Sequence, residues 1–182
     1  MNINLDLNDE ELRDFEITDK MLEEFKGLSD KIISQELRDS SLDPHVSIEI
    51  SLTLLGPERM QELNKRHRGI DEPTDVLSFP LWEEEGTFCM PEEITGEVSL
   101  GDIVICPYVV AENARVLGKN PEEELKLIYV HGLLHLLGYD HATPEEEAIM
   151  WKKQDEYLIT KGGRYLRWIP TCLVVSICWS FV

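Results

Sequence analysis

Positive charge is scarce in this sequence. Among 182 residues, 17 lysines and arginines stand against 36 aspartates and glutamates, for a formal net charge of -19. That balance excludes a broad basic surface for non-specific nucleic-acid binding, because polyanions are repelled at long range, and it disfavours duplex nucleic acid as a partner. Any anionic ligand has to be captured locally. Cysteine is sparse as well. Cys89, Cys106, Cys172 and Cys178 contain no C-x-x-C pair, which argues against a disulfide framework and against a thiolate metal site. A reduced, cytoplasmic setting fits that usage. The acidic start, Met1 to Asp14, lacks the basic head and apolar run of a signal peptide. The apolar stretch Trp168 to Val182 falls short of the ~20 residues that a spanning helix needs, so no membrane partner is expected.

What is present describes a folded protein. Hydrophobic residues at 42% and charged residues at 29% are ordinary for a globular chain, and the length suits one domain with a real core. We expect a single domain over 1–167, with 168–182 as an apolar tail of unknown role: an extra packed element or irregular end in preference to a membrane-surface contact, with a piece not native to the domain as the remaining reading. Residues 1–18 suggest a short strand or a loose arm. From Asp19, the residues Met21, Leu22, Phe25, Leu28, Ile32, Ile33 and Leu37 recur at helical spacing behind Thr18 as N-cap. Val46, Ile48, Ile50 and Leu52 then alternate with polar residues, which predicts a half-buried strand. Pro57 opens a short helix that Gly69 closes, and Glu83 to Glu93 is expected to be an exposed, mobile acidic loop. Val98 to Cys106 predicts a strand buried on both faces and interrupted at Gly101-Asp102, followed by a helix over Tyr108 to Leu117. Asn120-Pro121-Glu122-Glu123-Glu124 is a strong helix start, and the helix it opens is apolar nearly all round, hence central. Thr143-Pro144-Glu145-Glu146 starts another with a capping box.

Three of the five histidines lie in that central region, in His131-Gly-Leu-Leu-His135-Leu-Leu-Gly138-Tyr-Asp-His141. Residues four apart share a helix face, so His131 and His135 can both turn a ring nitrogen toward one ion. If the helix ran on, His141 would point elsewhere, since six residues carry it about 240° round from His135. Gly138 can end the helix in the left-handed conformation and let the next residues swing His141 back. A lone histidine on an apolar face is more often a satisfied core residue, but three at this spacing with a terminating glycine predict a metal site. Three neutral imidazoles plus one open position for water is, for zinc, the arrangement of catalytic sites, and it lowers the pKa of bound water to roughly 7. Nickel, copper or iron would accept the same donors. The pattern matches that of zinc proteases in every ligand and in Gly138, but Gly132 stands where those enzymes carry the glutamate that serves as general base. A phosphodiester asks mainly for charge neutralisation and an aligned nucleophile, which a dication and one arginine can provide. By local sequence Arg68 is a helix C-terminal cation interacting with the macrodipole. Asp75 suits a turn, Ser78 and Asp102 suit structural positions, and Asp140 either orients a histidine or caps its turn.

These blocks, together with Arg68-Gly69, Pro73-Thr74-Asp75-Val76-Leu77-Ser78-Phe79-Pro80 and Leu100-Gly101-Asp102-Ile103-Val104-Ile105, resemble the YbeY family of bacterial rRNA maturation endoribonucleases. The resemblance spans roughly residues 46–160. It implies an α+β, zincin-like fold, a small mixed β-sheet packed with about five helices and a metal site at the end of a central buried helix. It further implies a zinc-dependent, single-strand-specific endoribonuclease acting in small-subunit rRNA 3′-end maturation and ribosome quality control, with single-stranded rRNA and the small ribosomal subunit as partners. His131, His135 and His141 would be the zinc ligands. Arg68 would be the family's functional arginine, so the expected catalytic residues are Arg68 and His131, with Arg68 also binding substrate. A metal hydrolase of another substrate, such as a peptide, and a non-catalytic ribosome assembly factor are the alternatives. Whether water or the RNA 2′-hydroxyl attacks is left open.

Overall fold

Alternating burial along Ser47–Leu54 sets the sheet: Ile48, Ile50, Leu52 and Leu54 are buried while the residues between them are half-exposed. In the computed structural model, which describes residues 2–9, 15, 17–38, 45–84, 87–90 and 96–158, this strand (β2) lies between two others. Asn2–Asp9 (β1) runs parallel to it on one side and Glu97–Ile105 (β6) parallel on the other. Val76–Pro80 (β3) pairs antiparallel with β6, giving a mixed four-stranded sheet of order β1-β2-β6-β3 with β3 at an edge. Residues 2–9 therefore form a strand, the first of the two expectations for the N-terminal segment.

Asp19–Glu36 (α1) makes the crossover between the parallel strands β1 and β2. Thr18 caps it, its Oγ1 accepting from the Met21 amide at 3.3 Å. Pro57–Arg68 (α2) begins with proline where no backbone donor is missed and ends at Gly69, whose φ of 72° is the left-handed cap. Its side chains hold the loop that follows: Lys65 pairs with Asp71 at 2.6 Å, Gln61 donates to the Asp71 carbonyl at 3.0 Å, and Asn64 donates to the Glu72 carbonyl at 2.7 Å.

The segment expected to be a loop over Glu83 to Glu93 is a hairpin in its first half. Glu83–Glu84 (β4) and Thr87–Phe88 (β5) pair antiparallel. Neighbouring anchors outweigh the acidic composition: the Trp82 indole donates to the Ser99 carbonyl at 2.7 Å and the Cys89 amide to the Trp82 carbonyl at 2.9 Å. In β6, Glu49 pairs with Ser99 and Ser51 with Asp102, so Leu100 and Gly101 together oppose Ile50 in a bulge. Gly101 has φ 133°, and a Cβ there would sit 2.1 Å from the Phe79 carbonyl oxygen. Only glycine lets β3 approach β6 at this point, which is the interruption expected at Gly101-Asp102.

Pro107–Leu117 (α3) and Pro121–Leu136 (α4) complete this part of the chain. The Asn120 side chain caps α4 by accepting from the Glu122 and Glu123 amides at 2.8 and 3.2 Å. Ten of the helix's residues from Leu125 on are buried or nearly so on several faces, as a central helix requires, and it packs on β3, β6, α1 and α3. Across α1 and α4, Phe25 and Tyr129 stack at 4.5 Å, and the buried Tyr129 hydroxyl lies 2.6 Å from Ser29 Oγ, which satisfies both polar groups.

The described residues divide into two compact units after Gly138. The second carries Pro144–Leu158 (α5), opened by a reciprocal capping box in which Glu146 N donates to Thr143 Oγ1 at 3.2 Å and Thr143 N to Glu146 Oε2 at 2.9 Å. No described helix is long and apolar enough to cross a membrane. The apolar tail 168–182, with Cys172 and Cys178, lies outside the described residues.

Candidate metal centre

One turn near the C-terminal end of α4 presents His131 and His135 on one face, ring centroids 4.6 Å apart and nearly perpendicular, with their Nε2 atoms 3.1 Å from each other. His131 is buried and His135 half-buried. The helix then stops: the Gly138 amide donates to the His135 carbonyl at 2.9 Å, and Gly138 takes φ 82°. A Cβ at Gly138 would stand 2.5 Å from the Cβ of Phe88, so the β4–β5 hairpin as well as the backbone conformation demands glycine there. Beyond it, Asp140 Oδ1 accepts from the His141 amide at 2.8 Å, so Asp140 fixes the turn. Among the described residues, His131, His135 and His141 each offer a ring nitrogen, and these lie within 4.8 Å of one another.

The donor set suits a metal ion. Tetrahedral bonds of about 2.0–2.1 Å place two donors about 3.3 Å apart, close to the 3.1 Å between the first two histidines. Among the described residues no carboxylate joins the group, and neutral imidazoles leave a dication its full charge. Gly132, the position of the protease glutamate, faces the sheet. A Cβ on it would meet Ile103 Cγ2 at 2.9 Å, Ser78 Oγ at 3.1 Å and Val76 Cγ2 at 3.4 Å.

Arg68 ends α2 and is half-buried beside Asp75. Burial pulls the guanidinium pKa down and the Asp75 carboxylate opposes that pull, but an arginine stays charged at any working pH. Asp75 itself is 9% exposed. Its Oδ1 accepts from the Val76 amide at 2.9 Å and from Thr74 Oγ1 at 3.2 Å, its Oδ2 from Asn113 at 3.4 Å, and its carbonyl from the Cys106 amide at 2.8 Å. It is thus the turn residue that the sequence suggests, with a second attachment to α3 that no local pattern announces. Burial drives its carboxyl pKa up, and Glu124 adds to the shift. Glu124 is buried at 4% exposure and paired with Lys119 at 2.9 Å. The Cys106 thiol is also pushed up by burial, which keeps it protonated and unreactive. Three relationships have no signature in the sequence: Ser78 with Gly132, Asp75 with Asn113, and the edge-on pair of His67 and Phe79 at 5.0 Å. All join residues distant along the chain, where periodicity carries no signal.

The fold and the histidines together define a class: α+β proteins with a three-histidine candidate metal site at the end of a buried helix. Within that class, the profile of the endoribonuclease YbeY family matches residues 11–162. An endoribonuclease YbeY from Lysinibacillus sphaericus is 38% identical over 163 residues, covering 89% of this chain and 98% of that protein. One from Shouchella clausii is 48% identical over 116 residues, 63% of this chain and 72% of that protein. A Thermotoga maritima protein of known solution structure is similar at TM-score 0.54 and 32% identity, with 86% of each chain covered. The chain belongs to the endoribonuclease YbeY family. The match begins at residue 11 rather than 46, so α1 lies within the matched region. It was hidden in the sequence because α1 carries a packing pattern and no motif.

Proposed function

We infer that this chain is a metal-dependent endoribonuclease that cuts single-stranded RNA in small-subunit rRNA maturation and ribosome quality control, acting in the cytoplasm on the small ribosomal subunit. His131, His135 and His141 hold one zinc ion, and Arg68 binds the scissile phosphate. The observation that carries this reading is the convergence of three ring nitrogens on one helix end with no carboxylate among them. When bound, the ion supplies Lewis-acid stabilisation of phosphoryl charge and acidifies water near neutral pH.

The chain's own residues do the rest. Arg68 presents a planar fork that matches two phosphate oxygens, and its partial burial beside Asp75 restricts the directions that fork can take. His131, the most enclosed of the three histidines, is anchored in a buried helix and holds its ring in place as charge develops on the phosphate. Gly132 supplies no general base. A peptide bond needs one, at a cost of typically 10²–10⁴-fold when it is missing, whereas a phosphodiester is less dependent on it.

The test compares the protein with His135→Ala on single-stranded RNA, duplex RNA and an unstructured peptide, with and without a chelator, alongside elemental analysis. Metal-dependent cutting confined to single-stranded RNA is expected. Cutting of the peptide alone would replace this reading with a peptidase, and ribosome binding without any cutting would replace it with an assembly factor. A 2′,3′-cyclic phosphate product would identify the RNA 2′-hydroxyl as nucleophile.

A further inference from the structure

In a chain of net charge -19, the last turn of α2 is an exception: Lys65, Arg66, His67 and Arg68 are consecutive. Within this turn, His67 is exposed and its ring meets that of Phe79 on β3, centroids 5.0 Å apart and planes at 68°. Phe79 is half-buried and rooted against the cluster of Leu55, Met60, Leu77, Val104 and Cys106, so its ring is held in place. In an edge-on pair the edge of one ring meets a face of the other, so whichever ring offers its edge, the exposed His67 imidazole keeps at least one face clear of Phe79.

The pair is also well placed along the chain. His67 directly precedes Arg68. Phe79 directly follows Ser78, whose hydroxyl bonds to Gly132 beside His131. Ser78 and Phe79 point to opposite faces of β3, but β3 is an edge strand, so a ligand passing over its free edge reaches both faces. A cation for phosphate beside an aromatic seat for a base is the combination by which proteins hold single-stranded nucleic acid, and a base can stack on a side chain only when it is unpaired.

We propose that His67, braced by Phe79, is a stacking seat for an unpaired base flanking the phosphate bound by Arg68. This rests on the endoribonuclease reading and adds to it a reason for single-strand selectivity. Duplex RNA keeps its bases stacked inside the helix and offers none to this seat.

The test is binding of a short, labelled 2′-O-methyl oligonucleotide, which resists cleavage through the 2′-hydroxyl, and of the same oligomer made abasic throughout. Parent, His67→Ala and His67→Phe proteins are compared over a salt series. His67→Ala is expected to weaken binding of the base-bearing oligomer about fivefold or more, with His67→Phe restoring it. The abasic oligomer is expected to bind all three proteins alike, and the salt slope is expected not to change, because stacking releases no counterions. Equal losses in His67→Ala and His67→Phe, an equal loss on the abasic oligomer, or a shallower slope in His67→Ala would overturn the seat and make His67 a phosphate contact. No loss in His67→Ala would remove it from the interface. Cleavage of unmodified RNA by the parent protein is scored separately, so a failed seat with intact cleavage is distinguished from a failed endoribonuclease.

Discussion

The Ser78 hydroxyl donates to the Gly132 carbonyl oxygen across 3.2 Å, tying the edge strand β3 to the helical turn that carries His131. The contact is made where residue 132 has no side chain: a Cβ would lie 2.9 Å from Ile103 Cγ2 and 3.1 Å from that same hydroxyl, so one or both neighbours would have to shift. The departure from the protease pattern at this position is therefore a packing requirement as well as a missing base.

Gly132→Ala should accordingly destabilise the protein by about 1–3 kcal/mol, the usual cost of overpacking a close contact. Helix propensity alone predicts the opposite sign, since alanine favours helices over glycine by about 1 kcal/mol. Urea denaturation of the variant separates the two, and a midpoint at or above that of the parent would mean that α4 and β3 can part without loss.

Gly101→Ala meets two obstacles at once. The residue sits at φ 133°, which side chains avoid, and its Cβ would fall 2.1 Å from backbone oxygen, which cannot rotate away. We expect a loss on the order of 3 kcal/mol and weakened amide protection in β3 and β6 by hydrogen exchange. A stable variant with parent-like protection at Val76–Pro80 would show that the bulge tolerates a side chain.

How much of the fold and site is legible in the sequence follows from the range of each interaction. The α4 start at Asn120-Pro121, the alternation of β2 and the stop at Gly138 are local in sequence, and all three stand in the structure where the pattern put them. The convergence of His141 on His131 and His135 was also readable, because one left-handed residue decides it. The β4–β5 hairpin was not, since its anchors are the Ser99 carbonyl and the space beside Gly138, both remote along the chain. Nor could the order β1-β2-β6-β3 be read, because strand alternation says which face is buried and not which strand is next.

Arg68→Lys keeps a positive charge and loses the planar fork. If two phosphate oxygens are bound at once, the lysine variant should lose roughly tenfold or more in kcat on single-stranded RNA at saturating substrate, while thermal unfolding stays close to that of the parent. Unchanged kcat would rule out clamping of the phosphate in the transition state. A raised KM with parent-like kcat would assign Arg68 to ground-state binding alone.

Asp75→Asn tests the buried carboxyl through pH. Burial raises the folded-state pKa of Asp75 above its ordinary 3.8, and Glu124 adds to the rise, outweighing the hydrogen bonds from Thr74 and Val76. Between the ordinary and the raised value the native state keeps a proton that the unfolded chain has lost, so this residue makes stability fall as pH rises through that window. Below the window the cost is absent, and above it the cost is complete. The asparagine variant has no such proton; its Oδ1 can still accept from the Val76 amide and Thr74, although its amide would oppose the Asn113 amide that now donates to Asp75. Plotted as a difference from the parent, the variant's unfolding free energy should rise with pH from about pH 4 upward and level off once Asp75 is ionised in the folded parent. A difference that is flat across the whole range would mean that Asp75 has the same pKa folded and unfolded, and that its enclosure between β3 and α3 costs its charge nothing.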